Sequence, residues 1–586
     1  MPIHGPKQVR QFAGQRVFFC VIMALTASPA RAQTIPDQDL PTIQQKQDSI
    51  QRRHDDDIRQ REVERREFID RPPEGMQTPR IEAPVGLEDG ACADVDAFDV
   101  QGAELIPVDV MNVMTGEYAG RCLTLEQINT LLADISNWYL DRGYVTTRAY
   151  LPPQDLTTGT LQIVVVEGRT QDIRFSPGVA ERNRLATAFP GFEGRRLNIR
   201  DLEQGLDQLN RLPSNNAKLS LEPGEKTGET VVVIENTPDK RIRFTGTEDN
   251  TGSRSTGLRQ RTLEAEVDDL LGINDMWSVS YKHSLTNFED YGAKNVSGSL
   301  SVPYGYWTFE YSDSWFLYAS TIEATTASYT STGSSRQSAL SAERVVHRDQ
   351  NSKTSLEGVL TLKQGRNFIE DALLESQSRK LSIGGWTLHH SDRIWGGAFS
   401  GSATYERGLR SFGAKKDHQI GSNDPRAQFN KWSFSTSYSR ALPVAEQTLN
   451  GSLALAGQWT PHTLFSSERI SIGGLSSVRG FKEDSLSGDV GGYARTELSW
   501  TLPATGWDTF DRVFGRFTPY GALDAGWIKA DPAEDGEGGV LAGWALGLRA
   551  SSGVVSFDVA WAEPLKRHHS LTRRGHQLYT SLSIAY

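Results

Sequence analysis

The spacing of apolar and polar positions changes character along the chain. From about Lys240 onward it has period two. Trp277, Val279 and Tyr281 sit on alternate positions, as do Trp307, Phe309 and Tyr311, then Trp432, Phe434, Thr436 and Tyr438, then Val555, Phe557, Val559 and Trp561. Neighbouring residues of a strand point to opposite faces, so each run predicts a strand with one aromatic-rich face and one polar face. Pro303-Tyr304-Gly305 and Glu563-Pro564-Leu565 read as short turns, and Arg410 to Asn430 and Ala530 to Gly539 as long loops. Strands with short turns at one end and long loops at the other are the pattern of a transmembrane β-barrel. The chain ends on Tyr586, with Leu578, Leu582 and Ile584 on the same face.

Upstream, the period becomes mixed. Thr124 opens a helical spacing of Leu125, Ile128, Leu132, Ile135 and Tyr139, with Gln127 placed to complete a capping box and Gly143 to stop it. Val145 to Leu151 and Leu161 to Val166 read as strands, separated by Pro152-Pro153. The segment as a whole reads β-α-β-β. A second segment repeats that order: Asn198 caps a helix carrying Ile199, Leu202, Leu206 and Leu209, followed by strands at Leu219 to Leu221 and Val231 to Ile234. Two small α+β modules in tandem are predicted.

A third kind of pattern precedes both. Gln44 to Ile69 contains no Gly or Pro, interleaves Arg with Asp and Glu, and carries few apolar residues (Ile50, Ile58, Val63, Phe68). A helix this polar has no apolar stripe to dock on a core. It must lie in water or in a polar cavity, or stay unfolded. Arg71-Pro72-Pro73-Glu74-Gly75 closes it and opens a linker.

The first residues read as an export signal. Lys7, Arg10 and Arg16 precede the apolar run Val17 to Ala27, and Ala30-Arg31-Ala32 is a small-x-small cleavage site. The apolar run is too short to span a bilayer. Cys20 lies within this signal. Cys92 and Cys122 remain, an even pair in an oxidising compartment, and a Cys92–Cys122 disulfide is expected. On the chain-entropy model such a bridge contributes roughly 3–4 kcal/mol.

Composition fits an outer-membrane barrel. Hydrophobic residues make up only 37% of 586, because lumen-facing positions average away the lipid-facing ones. The net charge of −11 argues against a nucleic-acid partner, whose footprint would be basic. No Gly-x-Ser-x-Gly, His-Glu-x-x-His or phosphate-binding loop occurs, and the histidines do not gather, with His389-His390 and His568-His569 as adjacent pairs. The basic residues Lys566, Arg567 and Arg574 read as loop charge. No enzyme activity, cofactor or metal is expected.

Several long motifs carry a family resemblance. Gly143-Tyr144-Val145-Thr146-Thr147-Arg148-Ala149-Tyr150-Leu151-Pro152-Pro153-Gln154-Asp155-Leu156 and Leu209-Asn210-Arg211-Leu212-Pro213-Ser214-Asn215 resemble the two periplasmic POTRA modules of the outer-membrane transporters of two-partner secretion. These are typified by the haemolysin and filamentous-haemagglutinin secretion proteins. Val478-Arg479-Gly480-Phe481 is similar to that family's signature at the tip of the sixth extracellular loop, which folds back into the lumen. The lumenal partner of the arginine in that family is the aspartate of a Phe-x-Asp-x-Gly strand. Asp524 and Gly526 match, with Ala522 in place of the aromatic residue.

The resemblance implies a mainly β fold: a 16-stranded transmembrane antiparallel β-barrel preceded by two α+β POTRA domains and an N-terminal plug helix. The expected division is signal peptide 1–32, plug helix and linker 33–91, first POTRA 92–168, second POTRA 169–238 and barrel 239–586. The implied function is an outer-membrane pore that recognises and exports a large secreted exoprotein through that protein's N-terminal secretion domain. The alternative from the related superfamily is a factor that assembles or inserts other barrels. Lipopolysaccharide and the barrel assembly machinery are the other implied partners, with the POTRA domains in the periplasm.

Overall fold

The computed structural model describes residues 36, 38–69, 71–73, 75–76, 80–82, 92–176, 182–286, 291–421, 423–445, 447–530, 538–571 and 575–586. The export signal, Glu74 and Arg574 lie outside them.

Sixteen antiparallel strands close a barrel. The first, Ile242–Asp249, pairs with the last, Gln577–Ala585, with Thr245 opposite Ala585 and Asp249 opposite Ser581. The alternation read in the sequence is the inside–outside alternation of the wall. Trp307, Phe309 and Tyr311 are 37–46% exposed on the outer face, while Glu310, Ser312 and Ser314 line the lumen. Leu578, Leu582, Ile584 and Tyr586 are likewise exposed on the outer face at the closing seam. Gly305 and Tyr306 form a two-residue turn, Tyr304 facing Trp307. Gly408 to Asn430 spans a long loop, as the polar composition predicted.

One expected turn is not a turn. Glu563, Pro564 and Leu565 lie within the strand Val555–Lys566. The register slips opposite them, where Ala542 faces Lys566 and Gly543 faces Pro564. A bulge tolerates the missing proline N–H, which is why a strand can run through it.

Both small modules carry one helix more than the expected order. In the first, Val108–Gly116 precedes Leu125–Leu140, and the strand expected over Val145 to Leu151 is confined to Arg148–Tyr150. Val108–Gly116 is short and leaves Val108 and Val113 exposed, so it has no clean amphipathic period to read. The Thr124 capping box with Gln127 forms. In the second module Arg182–Ala188 precedes Ile199–Asn210. The three-stranded sheets place Thr160–Val166 and Glu229–Asn236 at their centres, each with one parallel and one antiparallel neighbour. Cys92 and Cys122 are joined by a disulfide across the strand pair Ala93–Val95 and Arg121–Leu123.

The modules meet at Gly143, whose φ is +88°. A β-carbon there would come within 2.4 Å of Asn198 Oδ1, the cap of the second module's helix, so glycine lets the two modules touch. Glu167 braces the joint. It accepts hydrogen bonds from Tyr139 Oη and the Leu105 amide, each at 2.9 Å, and pairs with Arg196 of the second module. Burial and the adjacent Glu167 carboxylate push the Tyr139 hydroxyl well above its usual range.

The second module sits on the barrel rim. Arg211 donates to Ser301 Oγ (2.8 Å) and to the Asn274 carbonyl (2.7 Å), and the Ser214 amide donates to Asp268 (2.9 Å). Gln208 donates to the Gly305 carbonyl at 2.9 Å. These contacts place the second module at the Gly305-Tyr306 end of the barrel.

Candidate functional site

The polar N-terminal helix runs Leu40–Ile69 and lies inside the barrel. At 1.5 Å per residue its 30 residues span about 45 Å, enough to thread the lumen from one mouth to the other. Asp39 marks the outer end, accepting from the Thr325 and Thr326 amides (3.0 and 3.2 Å) and from Tyr329 Oη (2.9 Å). Midway, Gln47 donates to Ser331 Oγ (2.9 Å), Gln51 donates to Ser335 Oγ (3.1 Å), and His54 stacks on Phe316 with ring centres 3.9 Å apart. Lys282 holds Asp57 at 3.1 Å. At the end nearest the second module Arg65 pairs with Glu310, and Arg66 reaches Glu343 and Glu357, each at 2.7 Å. Below the helix the chain leaves past Gln350, whose carbonyl accepts from the Gly75 amide at 3.1 Å, and reaches Glu203 of the second module.

The alternating charges of the helix thus find complementary charges and amides on the wall. Ile43 and Ile50, two of its few apolar positions, sit in small patches with Ile322, Tyr329 and Ile369, and with Phe316 and Tyr318. A cavity of about 1150 Å³ remains beside the lower half of the helix.

The second element inside the lumen is the loop between the strands Gln447–Trp459 and Gly491–Trp500. It turns back on a short hairpin, Ile470–Ile472 with Leu486–Gly488, and carries Val478-Arg479-Gly480-Phe481 at its tip. Arg479 is 1% exposed. Its Nε and Nη2 donate to the two carboxylate oxygens of Asp524 at 2.6 and 2.8 Å, and its backbone amide donates to Asp524 Oδ2 at 3.0 Å. This forked pairing satisfies the Nε donor and one Nη2 donor where bulk water is absent. Nη1 donates to Glu497 Oε2 at 3.0 Å. Glu497 also holds Arg549, which pairs with Asp558 and stacks 3.9 Å above the Tyr520 ring.

The residues around the pair explain the motif. Val478 and Phe481 pack with Ile472, Leu486, Ile528 and Leu541. Gly480 has φ +97° and lies against the Glu563–Pro564 backbone at the bulge, where a β-carbon would sit 2.7 Å from the Glu563 carbonyl carbon. Gly526 leaves room for Ile472, Tyr493 and Val478, each 3.1 Å from where its β-carbon would be. Ala522, where the family has an aromatic residue, fills a patch with Tyr520, Ala545, Ala560, Ala562 and Tyr579. Tyr520 and Tyr579 supply ring volume there.

Sequence reasoning did not name Glu497, Gly543 or the helix-binding acids Glu310, Glu343 and Glu357. Each stands at a lumen-facing position of a period-two strand, which is the signal that was available. His389, read as an isolated neighbour of His390, approaches Glu357 at 3.2 Å. Among the described residues no cluster of metal ligands occurs.

Comparison with known proteins agrees with this architecture. Residues 228–550 match the family described as "Haemolysin secretion/activation protein ShlB/FhaC/HecB". Residues 93–168 match the ShlB-type POTRA domain and 169–223 a second POTRA domain. The chain is 37% identical to the outer membrane transporter CdiB of Dickeya dadantii over 83% of its own length and 86% of that protein. It is 28% identical to the hemolysin transporter protein ShlB of Serratia marcescens, covering 83% and 85%. The solved structure of CdiB from Escherichia coli superposes with a TM-score of 0.83 at 31% identity, covering 95% of this chain and all of that one. A closed sixteen-stranded barrel with two periplasmic POTRA modules, an N-terminal helix in the lumen and an arginine-tipped returning loop belongs to an outer-membrane protein, and this chain belongs to the haemolysin secretion/activation family of two-partner secretion transporters.

Proposed function

We propose that this chain exports one large secreted exoprotein, taking up its unfolded N-terminal secretion domain at the POTRA modules and passing it outward through the lumen. The observation that carries this reading is the N-terminal helix. It lies in the conduit held mainly by ion pairs and amide contacts with a polar wall, so it can be exchanged for another polar chain. The POTRA sheets leave strand edges at Arg148–Tyr150 and Ala217–Pro223, where an extended segment can add through backbone hydrogen bonds. The conduit role needs no catalytic step and no cofactor. The lipid-facing band suits lipopolysaccharide of the outer leaflet as a neighbour, and the strand Gln577–Ala585, with Leu578, Leu582 and Ile584 on its outer face, suits insertion by the barrel assembly machinery.

The test is co-expression, in a Gram-negative host, with the large exoprotein encoded beside this gene. The exoprotein should reach the medium only with the intact chain. Residues 92–238 should be needed even when the barrel itself inserts. Equal export without the chain contradicts the reading.

A further inference from the structure

The connection between the strands Gly491–Trp500 and Arg516–Ile528 is built unlike its neighbours. Antiparallel strands alternate in direction, so it opens at the Gly305-Tyr306 end of the barrel, half-way round the ring of sixteen from that turn and away from the second module. Turns such as 395–396 and 552–554 at that end are tight and expose one apolar side chain each, Trp395 and Val554. This connection runs from Thr501 to Gly515 and carries the helix Asp508–Phe514. Among the described residues no other connection at that end carries a helix.

The helix folds back on the outer wall. Phe510 meets Phe514 with ring centres 4.9 Å apart and stacks on Phe517 at 5.7 Å. Phe517 meets Phe557 edge-on at 5.9 Å. Ala550 stands between these two in the ladder, opposite both. Its neighbour Arg549 points into the lumen toward Glu497, so Ala550 points out. Ala550 is nevertheless only 2% exposed, whereas Leu546 on the same face is 59% exposed. The aromatic cover closes over it. Asp511 holds the approach by accepting from the Thr505 amide (3.1 Å), the Thr505 hydroxyl (2.7 Å) and the Gly506 amide (3.1 Å). Two apolar side chains of the unit remain outside this packing. Trp507, stacked on Phe510 at 5.7 Å, is 67% exposed, and Val513 is 43% exposed. Arg512 and Arg516 are exposed beside them.

We propose that this unit is a membrane foot. Trp507 and Val513 enter the headgroup–acyl boundary of the phospholipid leaflet on the module side, and Arg512 and Arg516 reach its phosphates. The occupant follows from continuity with the lipid-facing wall. Phe517 shares its outward face with Leu523, and Phe557 shares its own with Val559 and Trp561, all exposed to lipid. An indole suits the boundary because its body is apolar and its N–H is polar. An arginine lays its stem along the apolar layer and keeps its head among the phosphates. The foot also braces one sector of the wall. The three strands it covers are those that seat the loop tip: Asp524 shares a strand with Phe517, Gly543 with Ala550, and Glu563–Pro564 with Phe557. This inference needs only the outer-membrane placement and is independent of which partner is exported.

The experiment uses the full chain reconstituted in vesicles of phosphatidylethanolamine and phosphatidylglycerol. A bimane label is placed on Trp507→Cys, on Val513→Cys or, as a control on an exposed turn of the second module, on Glu225→Cys. The native cysteine pair is bridged and does not compete. Val513→Cys keeps Trp507 in place, so its label reports even where Trp507→Cys loosens the turn. Brominated acyl chains should quench the labels at 507 and 513 and leave the label at 225 bright. An equal response at all three positions overturns the foot, whether water or another protein surrounds the helix. In a second arm, Trp507→Ser with Val513→Ser should speed amide exchange in Gly539–Ser551 by about ten-fold or more, the equivalent of about 1.4 kcal/mol of local stability. Exchange in Gly397–Gly408 should not change. Unaltered exchange in Gly539–Ser551 contradicts the brace.

Discussion

Gly543 lies directly beneath the carbonyl of Arg479. A β-carbon on Gly543 would stand 1.9 Å from that oxygen, closer than any side chain allows. The loop tip is therefore seated by backbone contact on two strands, at Gly543 and at Glu563–Pro564, and by charge on two others. Gly543→Val should lift the tip, lowering export while the barrel remains heat-modifiable in the outer membrane. Normal export by this variant would mean that the seat is not needed for transport.

Arg479 and Asp524 bury a forked ion pair, and removing one partner strands the other. Breaking a buried pair costs about 3–5 kcal/mol in a dry interior, and lumenal water lowers that ceiling. Arg479→Ala and Asp524→Ala should each cut export sharply with the barrel still assembled. The double variant should be little worse than either, because both remove one contact. Glu497→Gln should have a smaller effect, since Asp524 keeps its grip on Nε and Nη2. Full export by Arg479→Ala would rule out a working role for the loop.

Arg65 and Arg66 anchor the helix to Glu310, Glu343 and Glu357. Replacing both arginines with alanine should raise the open probability of the pore in planar bilayers, and deleting residues 38–69 should raise it further. Conductance unchanged by the deletion would show that the helix does not block the lumen.

The Cys92–Cys122 bridge ties the first strand of POTRA 1 to the strand before its long helix. Mass spectrometry of unreduced protein should find no free thiol in the mature chain. Cys92→Ser with Cys122→Ser should destabilise that module by about 3–4 kcal/mol. Two alkylated thiols in the unreduced protein would refute the bridge.

Much of this was legible in the residues for physical reasons. A barrel wall separates lipid from lumen, so Trp307-Phe309-Tyr311 and its counterparts alternate visibly. The helix Leu125–Leu140 showed itself through Thr124 and Gln127 because a capping box is a local device. Arg479 and Asp524 were readable as motif members, but Glu497 was not, because any lumen-facing acid fits the pattern and only register places it beside Asp524. Pro564 misled for a related reason. A proline ordinarily ends a strand, and the bulge that admits it here depends on Gly543 and Gly480, which come from elsewhere in the chain. The helix Val108–Gly116 was hidden because Val108 and Val113 stay exposed while Val110, Met111 and Met114 face the core, so its apolar residues form no single stripe.

This chain alone is expected to move an unfolded partner through its own lumen. The direct measurement reconstitutes the purified full chain in liposomes with the POTRA modules facing outward and adds the urea-unfolded neighbouring exoprotein. Protease is applied afterwards, and the protected fraction is counted. The account predicts protected exoprotein that rises with time with the intact chain and is greatly reduced with Arg479→Ala. Protection equal to that of empty liposomes, with the barrel folded and the POTRA modules accessible, would contradict it.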